Sequence, residues 1–340
     1  MVEGIKQFTT GMILGKFMPV HKGHQYLIEF ALARVDHLTI IVGTLEAEPI
    51  PGHLRYEWVK ELYPQARVCH LTDENPQYPN EHPDFWAIWK TSIRKFIPTG
   101  PDLVFTSEDY GEELARQLGA RHLMCDLSRQ AVPVSATKIR ENPFANWEFI
   151  PEPVRPYFVK RVVIYGPEST GKTTLAEKLA GHFNTVWVPE FARDYLDKKG
   201  AWVEPEDFPQ IAVGQLESED KLARVANRVL ICDTDLITTC IYSQHYMGQC
   251  ANEIRALADE RTYDLYLLLD IDVEWVDDWQ RPEPDKREYF FNWFKQELEN
   301  RGRRFVVISG NYQERFQKAV AAITSLFSDK DSNQHGIDKR

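Results

Sequence analysis

Two segments of the sequence combine the residue types that bind and transfer phosphate groups. The first is GKFMPVHKGH at residues 15–24, in which His21 and His24 stand three positions apart with a glycine between them. The second is GPESTGKT at residues 166–173, which fits the pattern GxxxxGK[ST]. Each segment follows an apolar run of strand length and precedes an amphipathic helical pattern. The sequence therefore predicts two active sites that handle nucleotides and could act in turn on one small molecule.

The two histidines of the first segment lie where a strand is predicted to end and a helix to begin. Imidazole N–H groups can donate hydrogen bonds to phosphoryl oxygens there, and the helix N-terminus adds backbone N–H groups and a positive dipole. Such donors favour an anionic, pentavalent transition state. In the alternative interpretation, His21 and His24 only cap the helix or bind a metal ion.

The second segment predicts a P-loop, because it follows an apolar run at 161–165 and leads into a helical pattern at 174–179. Backbone N–H groups of such a loop cradle phosphates, while its lysine, Lys172, reaches the β- and γ-oxygens and its threonine, Thr173, binds magnesium. The loop residues expected to contact ATP are Gly166, Ser169, Thr170, Gly171, Lys172, Thr173 and Thr174.

Carboxylates follow the next two predicted strands of this region. Glu190 stands at a strand end, where a small kinase needs a base near the acceptor hydroxyl, although an ion pair with Arg193 is an equal alternative. Asp233 ends a further strand as a Walker B residue would, so Thr173 and Asp233 are the predicted magnesium ligands. We expect Glu190, Arg193 and Asp233 to contact the nucleoside. Asp235 is expected to cap the next helix rather than to bind the metal.

A charged, proline-bearing segment follows the fourth predicted strand of the same region. In small P-loop kinases a mobile lid at this place brings arginines onto the transferring phosphoryl group. Arg281 and Arg287 are therefore predicted to contact ATP, and Arg281 is predicted to be catalytic. A solvated helix is the competing interpretation for the rest of the segment.

Apolar runs alternate with helical patterns in both halves of the chain, which indicates parallel sheets covered by helices. The sequence predicts two doubly wound α/β domains, a Rossmann-like domain at residues 1–148 and a P-loop kinase domain at 161–328. A proline-rich linker is predicted at 149–160 and a disordered tail at 329–340. The predicted strands are 12–14, 38–43, 103–106, 162–165, 185–188, 229–232, 265–269 and 305–308.

Composition excludes several classes of function. Because 40 basic residues face 51 acidic ones, the net charge is −11, which argues against binding of nucleic acid but allows small anionic substrates in a local basic pocket. No apolar stretch approaches the roughly 20 residues that span a bilayer, and the N-terminus lacks the core of a signal peptide. The five cysteines form no CxxC pair, as in reduced thiols. A cytoplasmic protein without membrane insertion is expected, and an oligomer is compatible with the sequence.

The first segment resembles the HxGH motif of the nucleotidylyltransferase superfamily. That resemblance implies a second motif of the form SxTxIR at the end of the domain, and the sequence SATKIR at 135–140 matches it. The histidines would then bind ATP during attack on the α-phosphorus, and the second motif would hold the pyrophosphate. The implied ATP-binding residues are Gly15, Lys16, Phe17, His21, His24, Ser135, Thr137 and Arg140.

Taken in order, the motifs resemble the NadR-type bifunctional proteins, which join a nicotinamide-mononucleotide (NMN) adenylyltransferase to a ribosylnicotinamide kinase. The resemblance implies two reactions, phosphorylation of ribosylnicotinamide to NMN and adenylation of NMN to NAD, with ATP as the substrate of both and Mg²⁺ as the cofactor. Trp86 would pack against nicotinamide, although a helix stripe facing the core explains it equally well. Some members carry a helix-turn-helix domain; only about ten residues precede the first strand here, so such a domain is not expected.

Other functions are compatible with the same motifs. The chief alternative is a ribosylnicotinamide kinase whose adenylyltransferase domain is weak or only senses a ligand. A transferase for another phosphate acceptor, such as phosphopantetheine, would lack a substrate in common with the kinase domain. A non-enzymatic NAD sensor or transporter-docking protein would not require the complete set of motif residues.

Overall fold

The structure is a computed structural model, and it describes residues 8–126, 130–276, 279 and 283–328. It divides into two units, the first ending at Val154 and the second beginning at Arg155. Each unit has its own five-stranded sheet with all neighbouring strands parallel. The predicted fold class, two α/β units with parallel sheets, is confirmed.

The first unit has the strand order β3-β2-β1-β4-β5. Its strands are β1 (Phe8–Gly15), β2 (Val35–Gly43), β3 (Arg67–Leu71), β4 (Leu103–Thr106) and β5 (Arg121–Met124). Its helices are α1 (Lys22–Leu32), α2 (Gly52–Leu62), α3 (Phe85–Arg94), α4 (Gly111–Leu118) and α5 (Ala136–Glu141), followed by 3-10 turns at Trp147–Phe149 and Glu152–Val154. The chain moves from β1 to one side of the sheet and then returns to the other, so the order reverses between β1 and β4.

Burial explains why this sheet carries helices on both faces. Every residue of β4 is buried, and the middle of β2 is buried at consecutive positions, as expected of strands covered on both sides. One core cluster joins the sheet to α3 and α4: Met12, Ile41, Cys69, Leu71, Ile93, Val104, Leu114, Ala115 and Leu118. The sheet and its helices thereby hold the carboxyl ends of β1 and β4 in fixed positions.

The second unit has the strand order β10-β9-β6-β8-β7. Its strands are β6 (Lys160–Tyr165), β7 (Trp187–Val188), β8 (Val229–Asp233), β9 (Leu265–Leu269) and β10 (Phe305–Ile308). Its helices are α6 (Arg155–Phe158), α7 (Lys172–His182), α8 (Phe191–Lys199), α9 (Asp207–Ala223), α10 (Leu236–Met247), α11 (Asn252–Glu260), α12 (Arg287–Asn300) and α13 (Tyr312–Ser328), with a 3-10 turn at Pro284–Lys286.

The central strands of this sheet are continuous apolar runs. All five residues of β8 and of β9 are buried, and the only charged residue in either strand is Asp233, the last residue of β8. The core cluster of the unit packs α7 and α13 against β6, β8 and β9. A carboxylate at the end of a buried strand, beside the loop after β6, is positioned by this packing.

Some elements differ from the sequence predictions. Strands β3 and β5 were not predicted, because both are short and carry charged or imidazole residues such as Arg67 and Arg121 at the edges of their sheet. The predicted strand 185–188 is regular only at Trp187–Val188. The predicted linker, 149–160, contains the 3-10 turn at Glu152–Val154 and helix α6, and the turn at Trp147–Phe149 ends at its first residue.

Two further findings concern the part of the chain that the structure describes. None of its helices combines the length and apolarity needed to cross a bilayer. Within the same residues, no three or more His, Cys, Asp or Glu side chains come together as a potential metal site.

Candidate functional sites

The first site is a cavity of about 680 Å³ at the carboxyl ends of β1 and β4. It lies where the strand order reverses, the position at which doubly wound sheets bind ligands. Predicted residues that line it are Gly15, Lys16, Phe17, His24, Trp86, Thr137 and Arg140. The fold therefore brings both motifs of the first unit to one cavity.

His21 caps helix α1, as the alternative interpretation of the sequence proposed. Its Nδ1 accepts hydrogen bonds from the N–H groups of Gly23 at 3.1 Å and His24 at 3.3 Å. An accepting Nδ1 places the ring proton of a neutral imidazole on Nε2, so the cap also fixes the tautomer. The His21 and His24 rings stack with centroids 3.8 Å apart. Capping is compatible with donation from Nε2 to a phosphate.

The turn after β1 is held by a buried arginine that sequence reasoning missed. Arg55 of α2 is fully buried and donates from Nη1 to the carbonyl of Lys16 at 2.8 Å and from Nη2 to Glu48 at 2.5 Å. Lys16 Nζ lies 2.8 Å from the other oxygen of Glu48. Burial raises the pKa of Glu48, but the bonds from Lys16, Leu45 and Arg55 outweigh it and hold that pKa below its ordinary value.

Phe17 has a structural role beside the histidines. Its side chain is 1% exposed, its φ is +48°, and its ring lies 4.9 Å from that of His24. A Cβ on Gly15 would stand 3.1 Å from the Phe17 ring, which explains why glycine occurs there. Phe17 is therefore a buried residue of the cavity lining, and its ring packs beside that of His24.

The second motif folds back onto the first. Ser135 caps α5, its Oγ accepting from the N–H of Lys138 at 3.2 Å. Arg140 donates to Thr137 Oγ1 at 3.2 Å and to the carbonyl of Met18 in the first motif. A second cavity of about 210 Å³ is lined by His21, His24, Ser135 and Thr137 among others. The hydroxyls and the histidines thus face the same space.

Trp86 borders both a cavity and the core, so its position fits both interpretations of the sequence, a ligand contact and a core-facing helix stripe. It is half-buried, it lines the 680 Å³ cavity, and it also packs against the core cluster of the first unit. Trp89 does the same and donates from Nε1 to the carbonyl of Pro76 at 2.8 Å. Two indoles, one of them fixed by a hydrogen bond, therefore form one wall of the cavity.

The loop after β4 forms another wall that was not predicted. Thr106, Glu108 and Tyr110 line the cavity, and the Tyr110 hydroxyl donates to the carbonyl of Leu14 at 3.0 Å. A Cβ on Gly111 would stand 2.2 Å from Thr106 Oγ1, so the close turn requires glycine. The signal in the sequence was a polar run, SEDYG, directly after the strand β4.

The second site is built around the loop between β6 and α7. Gly166, Ser169 and Gly171 have φ values of +137°, +56° and +83°, which wrap the backbone around a central space. Lys172 donates from Nζ to the carbonyls of Gly166 and Pro167, both at 3.0 Å. This is the loop geometry that the GxxxxGK[ST] pattern predicts, with the lysine directed along its own loop.

Thr173 and Asp233 form a hydrogen-bonded pair beside this loop. Thr173 Oγ1 donates to Asp233 Oδ2 at 2.6 Å, and Asp233 is 1% exposed. Burial and then the negative charge of Glu190 raise the pKa of Asp233 to about 6, against the opposing effects of Lys172 and Thr173. Its buried Oδ1 has no hydrogen-bond partner among the described residues. A hard cation such as Mg²⁺, which takes few protein oxygens and several from phosphate and water, fits this pair.

Glu190 and Arg193 line the same cavity as Lys172 and Thr173, a space of about 310 Å³. Glu190 directly precedes α8, and the N–H of Phe191, the first residue of that helix, donates to Gln215 Oε1 at 3.0 Å. Gln215 is 2% exposed and was not predicted. The predicted base is therefore held beside the loop by a buried amide of α9.

Three aromatic side chains, Trp202, Tyr242 and Tyr246, form what we call the aromatic wall of this cavity. Tyr242 and Tyr246 of α10 lie with rings 5.9 Å apart and nearly parallel, and Trp202 meets Tyr246 edge to face at 5.3 Å. All three line the cavity. The sequence signal was a helical stripe, since Thr238, Tyr242 and Tyr246 follow one another at intervals of four.

Asp235 caps α10, as predicted, rather than facing the P-loop. Its Oδ1 accepts from the N–H of Thr238 at 3.1 Å, and its Oδ2 accepts from the Tyr266 hydroxyl at 2.9 Å. The cap fixes the start of the helix that carries the aromatic wall.

Only one of the two predicted lid arginines falls within the described part of the chain. Arg287, the first residue of α12, donates to the carbonyl of Val273 at 2.8 Å and to that of Ser169 in the P-loop at 3.4 Å. Arg281 lies outside the described residues. Hydrogen bonds to backbone carbonyls therefore hold the Arg287 side chain beside the P-loop.

Comparisons with known proteins match these two units separately and together. The cytidylyltransferase-like family model matches residues 12–142, and an AAA domain model matches residues 161–315. Across 348 aligned residues, the trifunctional NAD biosynthesis/regulator protein NadR of Escherichia coli (strain K12) is 33% identical, with 95% of this chain and 84% of that protein covered. The protein of the same name from Salmonella typhimurium (strain LT2) is 31% identical, with 96% and 85% covered.

A solved structure has the same fold over nearly the whole chain. The crystal structure of a NadR protein in complex with NR superposes with a TM-score of 0.80 at 23% identity, covering 95% of this chain and 97% of that one. The alignments with the two NadR sequences likewise extend over both units of this chain. The chain belongs to the NadR family.

Proposed function

We propose that this chain is a bifunctional NAD salvage enzyme. Its second unit transfers the γ-phosphoryl group of ATP to ribosylnicotinamide and gives NMN and ADP. Its first unit joins NMN to the AMP part of another ATP and gives NAD and pyrophosphate. The proposal is supported by membership of the NadR family, whose E. coli member is an NAD biosynthesis protein by name.

One observation carries the kinase assignment. Thr173, Glu190 and the aromatic wall line a single cavity at the P-loop, and the hydroxyl of Thr173 donates to the buried Asp233 beside that cavity. A metal site, a base and a surface for a planar ring are the three features that phosphorylation of an aromatic nucleoside requires.

In the kinase reaction Lys172 turns from its loop carbonyls to the β- and γ-phosphoryl oxygens. Glu190 accepts the proton of the 5′-hydroxyl as the bond from that oxygen to the γ-phosphorus forms. The bond between the γ-phosphorus and the bridging oxygen breaks, and ADP leaves with that electron pair. Mg²⁺ held by Thr173 and Asp233 would neutralise charge on the phosphates. Arg281 supplies a further positive charge to the transferring group.

In the adenylyl transfer His21, through Nε2–H, and His24 donate to the phosphates of ATP. Ser135, Thr137 and Arg140 hold the β- and γ-phosphates that leave as pyrophosphate. A phosphate oxygen of NMN attacks the α-phosphorus while the bond to the bridging oxygen breaks. No base is needed, because the attacking phosphate is already an anion, and the side chains proposed to hold the phosphates are accordingly hydrogen-bond donors.

Trp86 is proposed to contact the nicotinamide ring of NMN. Its half-buried indole lines the cavity on the wall that it shares with Trp89. A planar cationic ring such as nicotinamide in NMN is attracted to the face of an indole.

Product analysis tests the proposal directly. The protein is incubated with ribosylnicotinamide, ATP and Mg²⁺, and NMN, NAD, ADP and pyrophosphate are separated by chromatography. We expect one pyrophosphate for every NAD formed, and an amount of ADP equal to the sum of NMN and NAD. ADP and NMN without NAD would contradict the assignment of the first unit, and the absence of ADP would contradict that of the second.

A further inference from the structure

Arg315 contacts the P-loop, and all three nitrogens of its guanidinium group donate hydrogen bonds to backbone or carboxylate oxygens. It belongs to the first turn of α13 and is 2% exposed. Its Nη1 donates to the carbonyl of Thr170 at 2.8 Å, its Nη2 to the carbonyl of Asp270 at 2.8 Å, and its Nε to the carbonyl of Gly310 at 2.9 Å. Nη2 also contacts the carboxylate of Asp272. One side chain therefore joins the P-loop to the segments that follow β9 and β10.

The bond to Thr170 sets the direction of the next N–H group. In a trans peptide the carbonyl of Thr170 and the N–H of Gly171 point in opposite directions. With the carbonyl held on Arg315, the N–H of Gly171 must point away from α13 and into the loop. Gly171 directly precedes Lys172, the first residue of α7, so this donor lies at the place where a helix N-terminus binds phosphate.

Without the bond from Arg315, the Thr170–Gly171 peptide could rotate into another orientation. Gly171 has no Cβ and a φ of +83°, and glycine changes its backbone dihedral angles at little steric cost. A rotated Thr170–Gly171 peptide would direct a carbonyl oxygen toward the phosphates, where it would repel them. The loop therefore depends on a contact outside itself to keep its donors directed inward.

We propose that Arg315 is a positioning residue of the kinase, which holds the Thr170–Gly171 peptide so that the loop N–H groups face the phosphates of ATP. The proposal rests on the proposed function of the second unit. Arginine is required because its planar group presents donors in several fixed directions, whereas a lysine ammonium is a single point that cannot reach three separated carbonyls at once.

Arg303 provides a matched control in the same unit. Its Nη2 lies within hydrogen-bond distance of three backbone carbonyls, those of Ala258, Asp259 and Arg261, at 2.9–3.1 Å. It lies before the amino end of β10, whereas Gly310 follows the carboxyl end of that strand. Arg303→Lys therefore makes the same substitution at an arginine that contacts backbone carbonyls near the amino end of β10, away from the P-loop.

The test compares Arg315→Lys, Arg315→Met and Arg303→Lys in the full-length protein. ADP release reports the kinase alone, because adenylyl transfer releases pyrophosphate instead. Since hydrogen-bond donors aimed at a developing anion contribute about 100-fold or more in rate, we expect Arg315→Lys to lower kcat/KM for ATP at least about thirtyfold. Pyrophosphate release from supplied NMN, and KM for ribosylnicotinamide, should stay within about twofold of the parent protein for both lysine variants.

Calorimetric titration with ATP and Mg²⁺ gives a second readout that needs no acceptor. The binding phase that Lys172→Ala removes belongs to the P-loop, and Arg315→Lys should weaken that phase while Arg303→Lys leaves it unchanged. If Arg315→Met does not fold, Arg315→Lys decides the matter. Equal effects of the two lysine variants on ATP binding, or a lower melting temperature for Arg315→Lys with unchanged ATP binding, would overturn the positioning role. A parent protein that binds ATP at the P-loop but releases no ADP would contradict the proposed function only.

Discussion

The ionised carboxylate of Asp233 should lower the free energy of unfolding of the second unit, although the kinase reaction requires it. Burial and the charge of Glu190 raise the pKa of Asp233 from its ordinary value of 3.8 to about 6. Each pKa unit corresponds to about 1.4 kcal/mol, so ionised Asp233 should reduce the free energy of unfolding by about 3 kcal/mol at pH 8. Because the folded state binds this proton more tightly, the stabilising contribution is complete below about pH 4 and is lost as the pH rises through about 6.

Asp233→Asn removes the charge and keeps an oxygen that can accept from Thr173. In EDTA, we expect the variant to raise the free energy of unfolding of the second unit by about 2–3 kcal/mol at pH 8, with no difference near pH 4. The same variant should release no ADP, because magnesium loses a ligand. Urea denaturation between pH 4 and pH 8, followed by circular dichroism, measures the difference.

Asp102→Asn in the first unit is a control for which the expected change in the free energy of unfolding at pH 8 has the opposite sign. Hydrogen bonds from the backbone and side chain of Thr10 hold the pKa of Asp102 below its ordinary value. Its contribution to stability is therefore present above the unfolded pKa and is lost as the pH falls, so this variant should be less stable than the parent at pH 8. An Asp233→Asn protein that is less stable at pH 8, or equally shifted at every pH, would refute the reasoning.

Three further predictions concern ligands. Trp86→Ala should raise KM for NMN by about tenfold, measured by pyrophosphate release, and leave KM for ATP within about twofold, since the lost contact with the ligands is that to nicotinamide. An equal rise in both KM values, with a lower melting temperature, would show a purely structural role. Arg281→Ala should lower kcat for ADP release at least about tenfold with little change in KM for ATP, and a change confined to KM would contradict this. Thr173→Val should raise the Mg²⁺ concentration needed for half-maximal ADP release, whereas an unchanged Mg²⁺ dependence would exclude Thr173 as a ligand.

The sequence predicted the fold class and the loops that carry the motifs because both depend on local signals. A buried parallel strand is a continuous apolar run, as in β8 and β9, and a phosphate loop requires glycines at fixed positions. Strands β3 and β5 lacked that signal, because they lie at or near sheet edges and include polar residues. The capping role of Asp235 was predictable for the same local reason, since a cap contacts residues only three positions away.

Residues that act across the fold could not be predicted in this way. Arg55 reaches Lys16 over 39 positions, and Arg315 reaches Thr170 over 145 positions. Gln215 holds the residue after Glu190 from another helix. Nothing in the local sequence distinguishes these side chains from other polar residues of amphipathic helices, because their partners are backbone atoms that only the tertiary packing brings close.

The central claim is that two separate sites perform two different transfers, and a pair of single substitutions tests it most directly. Lys172→Ala and His24→Ala are assayed for ADP release from ribosylnicotinamide and for pyrophosphate release from supplied NMN. We expect Lys172→Ala to abolish ADP release and to keep pyrophosphate release, and His24→Ala to do the reverse. If either substitution abolished both activities in a protein that remains folded by circular dichroism, the two-site account would be wrong.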